Sequence, residues 1–444
     1  MPAASPTPPI MMAQAEPAPA GDAPPAVAAP AFGEGESAGE AAEDSGGYGP
    51  FPAQKETTLQ NVLRGFFGKS PLGDDLKPCD GGDGCKKDPC LRIFGWADFD
   101  YTYRSTGGGN NPIAPVMNHY GNEFLNRQNG ISVSKLLDPE KLSWGFNAIF
   151  IFGSDASFLN PTKGWFQGTQ FGPGGQDRYS CQFTDLNLTA HLPILTDGGV
   201  DIKAGRQTTI LGPMGAIPWQ RWFDSSDYAW YNMEEGRYTG VSSVWHITKR
   251  LDWYNGFELG WGTFFAQIHN DVDYITNISY WLDEKKEKTR IWTTVLTGPT
   301  SLTGGKNTTV WEGGLQHNWN KYVYQIIDTQ MVWSKGPVNA VAPPGYNERA
   351  YDAYTYLGAH LNKCIDLNSR FELYYDVDGL GYAGGFGVPQ NLYKEITVGI
   401  DWHPNKWMQF RPEIRWDSAN ADNFGQNFDK KNQISIAADL LLKF

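Results

Sequence analysis

The chain has 444 residues and a net charge of -13 at neutral pH, and 14% of its residues are aromatic. This acidic balance argues against nucleic acid as the main partner. No stretch approaches the roughly 20 apolar residues of a membrane-spanning helix, which excludes helical insertion, whereas barrel strands, half of whose residues face water, are not excluded.

Residues 1–50 consist almost entirely of Pro, Ala, Gly, Glu and Ser, with few side chains able to build a core. This composition predicts a disordered tail. Within it, Ala13-Gln14-Ala15 resembles a signal-peptidase site, but neither a charged segment nor an adequate apolar segment precedes it. We therefore expect a signal peptide upstream of this start; a chance match is the alternative.

Residues 51–90 are predicted to form a pre-barrel segment. Thr58 to Phe67 fit either a short amphipathic helix or a linker with an apolar patch. Three cysteines follow in a loop rich in Gly, Asp and Lys: Cys79, Cys85 and Cys90. They lack a CxxC pair and a neighbouring His, so a disulfide in an oxidising compartment is favoured over a metal site.

From residue 91 to the end, the chain is a succession of segments in which apolar and polar residues alternate. Because side chains of a strand point to opposite faces in turn, each segment predicts a strand with one apolar face. The last strand shows this most clearly. Its apolar face carries Ile434, Ile436, Ala438, Leu440, Leu442 and Phe444, and its other face carries Gln433, Ser435, Ala437, Asp439 and Lys443.

Short polar turns alternate with longer Gly/Pro/Asn-rich connections. The short turns lie at 138–141, 196–199, 248–250, 283–287, 318–321, 362–366 and 403–406. The long connections lie at about 104–123, 153–181, 212–236, 268–273, 297–307, 334–349, 377–390 and 417–431. Seven short turns and eight long loops require sixteen strands.

Sorting of loops by length is typical of bacterial outer-membrane barrels, whose short turns face the periplasm. A soluble sandwich would not sort its loops, and it would need a second apolar face to cover the first. We therefore predict an all-β fold, a single antiparallel transmembrane β-barrel of about sixteen strands at 91–444. In lipid this sheet must close, because an open edge would leave backbone groups unpaired.

The segment from 91 to 444 resembles the beta-barrel porins of Gram-negative outer membranes. The matching pieces are FGWADFDYTYR, DLNLTAHLPILTDGGVDIKAGRQTTILG, RYTGVSSVWHITKRLDWYNGFELGWG and the closing strand with its terminal Phe444. The resemblance implies passive diffusion of small hydrophilic solutes or ions through a channel in outer-membrane lipid. It also implies a closing strand of the type that the barrel assembly machinery recognises, and it supplies no catalytic residue and no cofactor. General porins of this size often form homotrimers.

The loop at 212–236 is the third long loop, which in sixteen-stranded general porins folds into the lumen and narrows it. Its charged residues are Arg221, Asp224, Asp227, Glu234 and Glu235. We expect them to face wall residues such as Lys203, Arg206, Arg411 and Arg415 and to create a transverse field that sets ion preference. The alternative is an extracellular loop held by its own Trp and Tyr side chains.

The seven histidines show no spacing typical of a metal site. His191, His360 and His403 fall on polar faces near short turns, where solvated pore histidines are expected, so no metal is predicted. Two other functions stay open on the sequence: a secreted soluble β protein that binds carbohydrate through its aromatic residues, and a barrel with an adhesive or hydrolytic role.

Overall fold

A computed structural model of the chain describes residues 91–107, 109–110, 118, 120–171, 178–268, 270–283, 288–299, 307–335, 347–379, 390–425 and 429–444. The predicted tail (1–50) and pre-barrel segment (51–90), including Cys79, Cys85 and Cys90, lie outside these residues. The expectations for both segments therefore stay predictions. Cys181 and Cys364 are free thiols.

Sixteen long antiparallel strands form the fold. They are β1 (Leu91–Arg104), β2 (Glu123–Lys135), β3 (Ser143–Gly153), β4 (Tyr179–Leu192), β5 (Val200–Thr208), β6 (Arg237–His246), β7 (Leu251–Trp261), β8 (Asp273–Trp281), β9 (Thr289–Gly298), β10 (Thr308–Asn318), β11 (Val323–Lys335), β12 (Asn347–Asn362), β13 (Ile365–Asp376), β14 (Asn391–Asn405), β15 (Met408–Ala419) and β16 (Asn432–Lys443). Each strand pairs with its neighbours in sequence. The predicted strand number is confirmed.

The sheet closes where β1 meets β16. β1 pairs with β2 on one side and with β16 on the other, in a ladder that runs from Trp96 opposite Lys443 to Arg104 opposite Ser435. The backbones of Gly95 and Phe444 also exchange two hydrogen bonds, of 2.7 and 2.8 Å. The predicted closure of the last strand onto β1 is confirmed, and the described sheet has no free edge of a long strand.

The remaining elements are short and lie in the long connections. They are the two-residue strands Gly109–Asn110, Tyr120–Gly121, Lys163–Gly164, Gln170–Phe171 and Thr263–Phe264, helix α1 (Ser154–Phe158), a 3-10 turn (Pro218–Gln220) and helix α2 (Tyr228–Asn232). None of the helices in the described part of the chain has the length and apolar character needed to span a membrane.

The loops are sorted by length as predicted. Each of the seven connections on one rim, such as 363–364 between β12 and β13, is shorter than any of the eight on the other rim, of which 209–236 is the longest. We call the two rims the short-turn rim and the long-loop rim. β1 begins and β16 ends at the short-turn rim.

The apolar face of the sheet points outward. On β16, Ile434 and Ile436 are about half exposed, whereas Gln433, Ser435 and Asp439 on the opposite face are buried inside the barrel. Since an exposed band of Ile, Leu and Val is costly in water and favourable in lipid, the exterior is the surface that contacts the bilayer.

Exposed aromatic side chains lie toward both ends of the strands. Near the short-turn rim these are Trp144, Trp319, Tyr322, Trp407 and Phe444, and near the long-loop rim they are Tyr101, Tyr103, Phe124, Trp333 and Trp416. Aromatic rings favour the boundary between lipid and water, and barrels carry such belts at both interfaces. The two belts therefore mark the bilayer boundaries on this barrel.

Two adjacent residues of β4 test which face contacts lipid. Leu188 is exposed on the outer face, and Thr189 faces the lumen. We expect Leu188→Lys to lower the free energy of unfolding in lipid vesicles by about 1–4 kcal/mol, depending on its depth in the bilayer. Thr189→Lys should cost much less, because its ammonium group reaches water. Equal losses in urea-unfolding titrations of the two variants would contradict this orientation.

Candidate functional site

The third long connection, residues 209–236, joins β5 to β6 and is called L3 from here on. Its apolar residues are buried: Ile210, Leu211, Met214, Ala216, Ile217, Phe223, Tyr228, Ala229, Trp230 and Met233. It contacts inward-facing residues in the middle of β13 and β15, which stand across the barrel from β5 and β6. L3 therefore runs through the barrel interior and is not an external loop.

Two wall carboxylates accept hydrogen bonds from the backbone of L3. Glu413 of β15 accepts from the backbone N–H groups of Asp224, at 2.7 Å, and Ser225, at 3.2 Å. Glu372 of β13 accepts from the N–H of Tyr228, at 2.6 Å, and from that of the next residue. Since buried N–H groups need acceptors, these carboxylates replace the partners that a strand would have supplied.

Two of the predicted wall arginines contact L3, through its backbone carbonyls. Arg411 donates to the carbonyl oxygens of Pro218, at 2.6 Å, and Arg221, at 2.5 Å. Arg415 donates to the carbonyl oxygen of Ser226. The charges of these arginines are instead balanced by wall residues, Arg411 by Asp439 and Arg415 by Asp417.

A third wall arginine, Arg370 of β13, was not among the predicted residues. It donates to the carbonyl oxygens of Ser225 and Ser226, at 3.0 and 3.1 Å, and forms a 2.8 Å ion pair with Glu395. Its guanidinium also lies over the ring of Phe223, 5.2 Å from the centroid. A guanidinium has five donors in a fixed plane, so one side chain can satisfy a carboxylate and several carbonyls at once.

A buried ion-pair network ties L3 to the second long loop. Arg221 of L3 lies 2.9 Å from Asp155 of α1, and Arg127 of β2 lies 3.1 Å from the same carboxylate. Arg127 also forms an ion pair with Asp224. All four side chains are fully buried. Asp224 thus faces a basic wall residue, Arg127, that was not among the predicted ones.

Asp227 begins helix α2 and joins it to the wall. Its carboxylate accepts a 2.6 Å hydrogen bond from the N–H of Trp230, which is the usual role of Asp at a helix N-cap. The other carboxylate oxygen accepts from the hydroxyl of Tyr356, at 2.7 Å. Aromatic packing adds to this contact, because the ring of Trp222 lies 4.1 Å from that of Tyr356.

The last two acids of L3, Glu234 and Glu235, contact β11 and the residue after β7, away from the arginines of β2 and β15. Glu234 accepts from the side-chain amide of Gln330, and Glu235 accepts from the N–H of Gly262, at 3.1 Å. Burial raises the pKa of the Glu235 carboxyl to about 8 and the pKa of Glu234 well above its ordinary value. The Glu235 carboxyl is therefore largely uncharged at neutral pH.

Of the predicted wall residues, Lys203 is not brought to L3, and Arg206 comes near L3 at Glu235, with which it interacts electrostatically. Arg206 donates to the carbonyl oxygen of Thr263 and lies over the ring of Phe264, in the fourth long connection. Lys203 stands opposite Thr189 in the ladder between β4 and β5. Neither makes a hydrogen bond or ion pair with L3 within the described ranges.

Carboxylates of β7, β11 and β12 line the rest of the interior. Glu258, Asp328 and Asp352 are buried, and each is hydrogen-bonded to another carboxyl group: Glu258 to Glu235, Asp328 to Glu312 and Asp352 to Glu372. The arginines on β2, β13 and β15, in contrast, are each matched by a carboxylate. The interior therefore has an arginine-bearing side with balanced charges and an acidic side with an excess of carboxylates.

A closed sixteen-stranded barrel with a lipid-facing apolar exterior, a charged interior and a loop folded into it defines an outer-membrane porin. The chain belongs to the family described as Putative beta-barrel porin-2, OmpL-like, whose model matches residues 91–444. It is a channel of the outer membrane for small solutes.

Solved structures with the same fold include three porins. Salmonella typhi OmpF in complex with daunomycin is 12% identical, with 80% of this chain and 98% of that one covered and a TM-score of 0.56. Pseudomonas putida OprB at high pH is 11% identical, with 80% of this chain and 94% of that one covered and a TM-score of 0.52. An anion-selective porin from Comamonas acidovorans is 10% identical, with 80% of this chain and 100% of that one covered and a TM-score of 0.51. These likenesses concern the fold alone. No curated protein sequence matches the chain.

The network around Asp155 generates a prediction about L3. Asp155→Asn removes the carboxylate shared by Arg127 and Arg221, and loss of one partner of a buried ion pair typically costs about 3–5 kcal/mol. We therefore expect faster hydrogen exchange of L3 amides in detergent micelles, above all at Asp224. Asp138→Asn, which removes an exposed pair with Lys141, is the matched control. Unchanged L3 exchange in the Asp155 variant would show that the network does not hold the loop.

Proposed function

We propose that L3 is the constriction of a water-filled channel and that the channel prefers cations. The supporting observation is the unequal charge balance around L3. Arg127, Arg370, Arg411 and Arg415 are each paired with a carboxylate. Within the described residues, Glu258, Asp328 and Asp352 on the acidic side pair with another carboxyl group and form no ion pair with an arginine.

Solutes cross this channel by diffusion, without a chemical step. The barrel wall keeps lipid away from the solute, and sixteen strands are enough to leave an aqueous lumen. L3 sets the width of the path, and the unbalanced carboxylates attract cations and raise their local concentration. The field runs from the arginines of β2, β13 and β15 toward the acidic strands β7–β12.

Planar bilayers provide the direct test of conduction and ion preference. In a KCl gradient we expect a reversal potential of the sign that marks cation preference. Asp328→Asn combined with Asp352→Asn should move it toward zero, because two carboxyl groups are removed from the acidic side of the lumen. Asp138→Asn at the exposed turn should leave it unchanged. A tight barrel that passes no current, or an anion-preferring one, would refute the proposal.

The contribution of L3 is tested by removing its two anchoring aspartates. Asp224→Ala with Asp227→Ala breaks the ion pair with Arg127 and the hydrogen bond from Tyr356. We expect a larger single-channel conductance and a changed ion preference, because the released loop no longer narrows the lumen. Reversal potential and conductance equal to those of the unmodified protein would contradict a constriction role.

Ion preference should also depend on pH. A carboxyl group is neutral below its pKa and negative above it. Because the pKa of Glu235 is about 8, L3 gains negative charge as the pH rises through that value. We expect cation preference to increase between about pH 7 and about pH 9, and Glu235→Gln to reduce this increase. An equal pH response in the variant would exclude Glu235 as the titrating group.

We further propose that residues 1–90 lie in the periplasm, as a tail (1–50) and a pre-barrel segment (51–90), because β1 begins at the short-turn rim. The outward face of β16, with Ile434, Ile436 and the terminal Phe444, suits recognition by the barrel assembly machinery. A homotrimer is proposed from the porin family. The mass of the detergent complex measures this state, and a monomeric mass would rule the trimer out.

A further inference from the structure

A row of acidic and histidine side chains crosses three strands inside the short-turn rim. His360 near the end of β12 stands directly opposite Asp366 on β13, and Asp366 stands directly opposite Asp401 on β14. His403 lies two residues beyond Asp401, on the same face of β14. Four side chains from two adjacent hairpins therefore converge at one point of the barrel mouth.

The distances within this row are short enough for chelation. One ligand atom each of Asp366, Asp401 and His403 can be chosen so that all three lie within 4.8 Å of one another. His360 Nδ1 lies 2.7 Å from Asp366 Oδ1, and His403 Nδ1 lies 3.4 Å from Asp401 Oδ1. Zinc binds such atoms at about 2.0–2.2 Å, so a side-chain shift of about 1 Å completes the site.

The two aspartates also place two carboxyl groups side by side, with Lys443 and Arg411 acting on Asp401 alone. Carboxylates directly opposite each other on adjacent strands repel, and these two are 3% and 9% exposed, so water screens them little. We propose that a divalent transition-metal cation, of which Zn²⁺ is the best match, binds between Asp366, Asp401 and His403. A divalent cation neutralises both carboxylates at once.

The ligand types favour zinc over the hard cations. Ca²⁺ and Mg²⁺ take six or more oxygen ligands, whereas a mixed set of imidazole nitrogen and carboxylate oxygen suits Zn²⁺. Gln409 donates a 2.6 Å hydrogen bond to Asp401 Oδ2 and so fixes the orientation of that carboxylate. Three protein ligands leave a fourth position for water, for His360 or for a carboxylate of a passing solute.

A second histidine-aspartate group offers a matched control. His191, Asp201, His246 and Asp252 lie at the same rim, on β4 to β7. Each histidine forms a direct pair, His191 with Asp201 at 2.6 Å and His246 with Asp252 at 2.8 Å. Within the described residues, three convergent ligand atoms are found at Asp366, Asp401 and His403 and not in this second group.

Calorimetric titration of the full-length protein in detergent with ZnCl₂ tests the site. The protein must be purified without a histidine tag, since a tag binds zinc itself. We expect one site whose affinity survives excess Mg²⁺. His403→Ala and Asp401→Asn should each weaken binding at least about tenfold, the lower end of the loss seen when even an outer partner of a metal site is removed. His246→Gln should bind as the unmodified protein does.

The titration distinguishes loss of the zinc site from loss of the folded barrel and from failure of the proposed cation preference. Equal zinc affinity in the His403→Ala variant and the unmodified protein, or no binding at all, would overturn the proposal. The gel shift on boiling shows that each variant is folded, so a lost site is not confused with a lost barrel. Calorimetry needs no channel activity, and a failure of the proposed cation preference would leave this result unaffected.

Zinc should also act on conduction if the cation preference holds. Binding replaces two negative charges at the mouth by a neutral group, so ZnCl₂ should lower the cation preference when added to the side that carries the short turns. His403→Ala should abolish this response. A response of equal size in the His403→Ala variant would place the zinc effect elsewhere and count against the site.

Discussion

Backbone hydrogen bonding in lipid is the constraint on which this structure depends. The hydrocarbon core offers no partner to an unpaired N–H or C=O group, so a sheet that enters it must close. Here closure is made by β1 and β16, which pair from Trp96 opposite Lys443 to Arg104 opposite Ser435. The alternation of apolar and polar residues then follows, because a closed sheet has one face in lipid and one around the lumen.

Closure also leaves an interior that the side chains of the wall do not fill. L3 lies in this interior, and its backbone hydrogen bonds are made with side chains and not with a neighbouring strand. The loop has no strand to pair with, so side chains of the wall satisfy its backbone. Glu372 and Glu413 accept from its N–H groups, and arginines such as Arg411 donate to its carbonyls. The same charged residues that would be too costly in a packed core thus serve both as anchors for a loop and as the lining of a channel.

Strand number, closure and loop sorting were predictable because they depend on local patterns: a period of two and a turn every ten to twenty residues. The position of L3 inside the barrel was predicted by analogy, whereas its partners were not. Arg127 and Asp224, like Arg370 and Ser225, are far apart in sequence and meet only because L3 crosses the barrel interior. The row of His360, Asp366 and Asp401 was not predicted either. Metal-binding motifs are recognised by the spacing of ligands within one segment, whereas this row runs across three strands.

The seam between β1 and β16 also fixes an order of events during biogenesis. β1 is synthesised first among the strands, but its second partner, β16, is the last of them to be synthesised. Until then any partial sheet has two open edges, which are templates for aggregation and cannot enter lipid. Insertion before synthesis is complete is therefore unproductive. Closure of the sheet in the membrane is therefore a late step of folding, because it waits for β16.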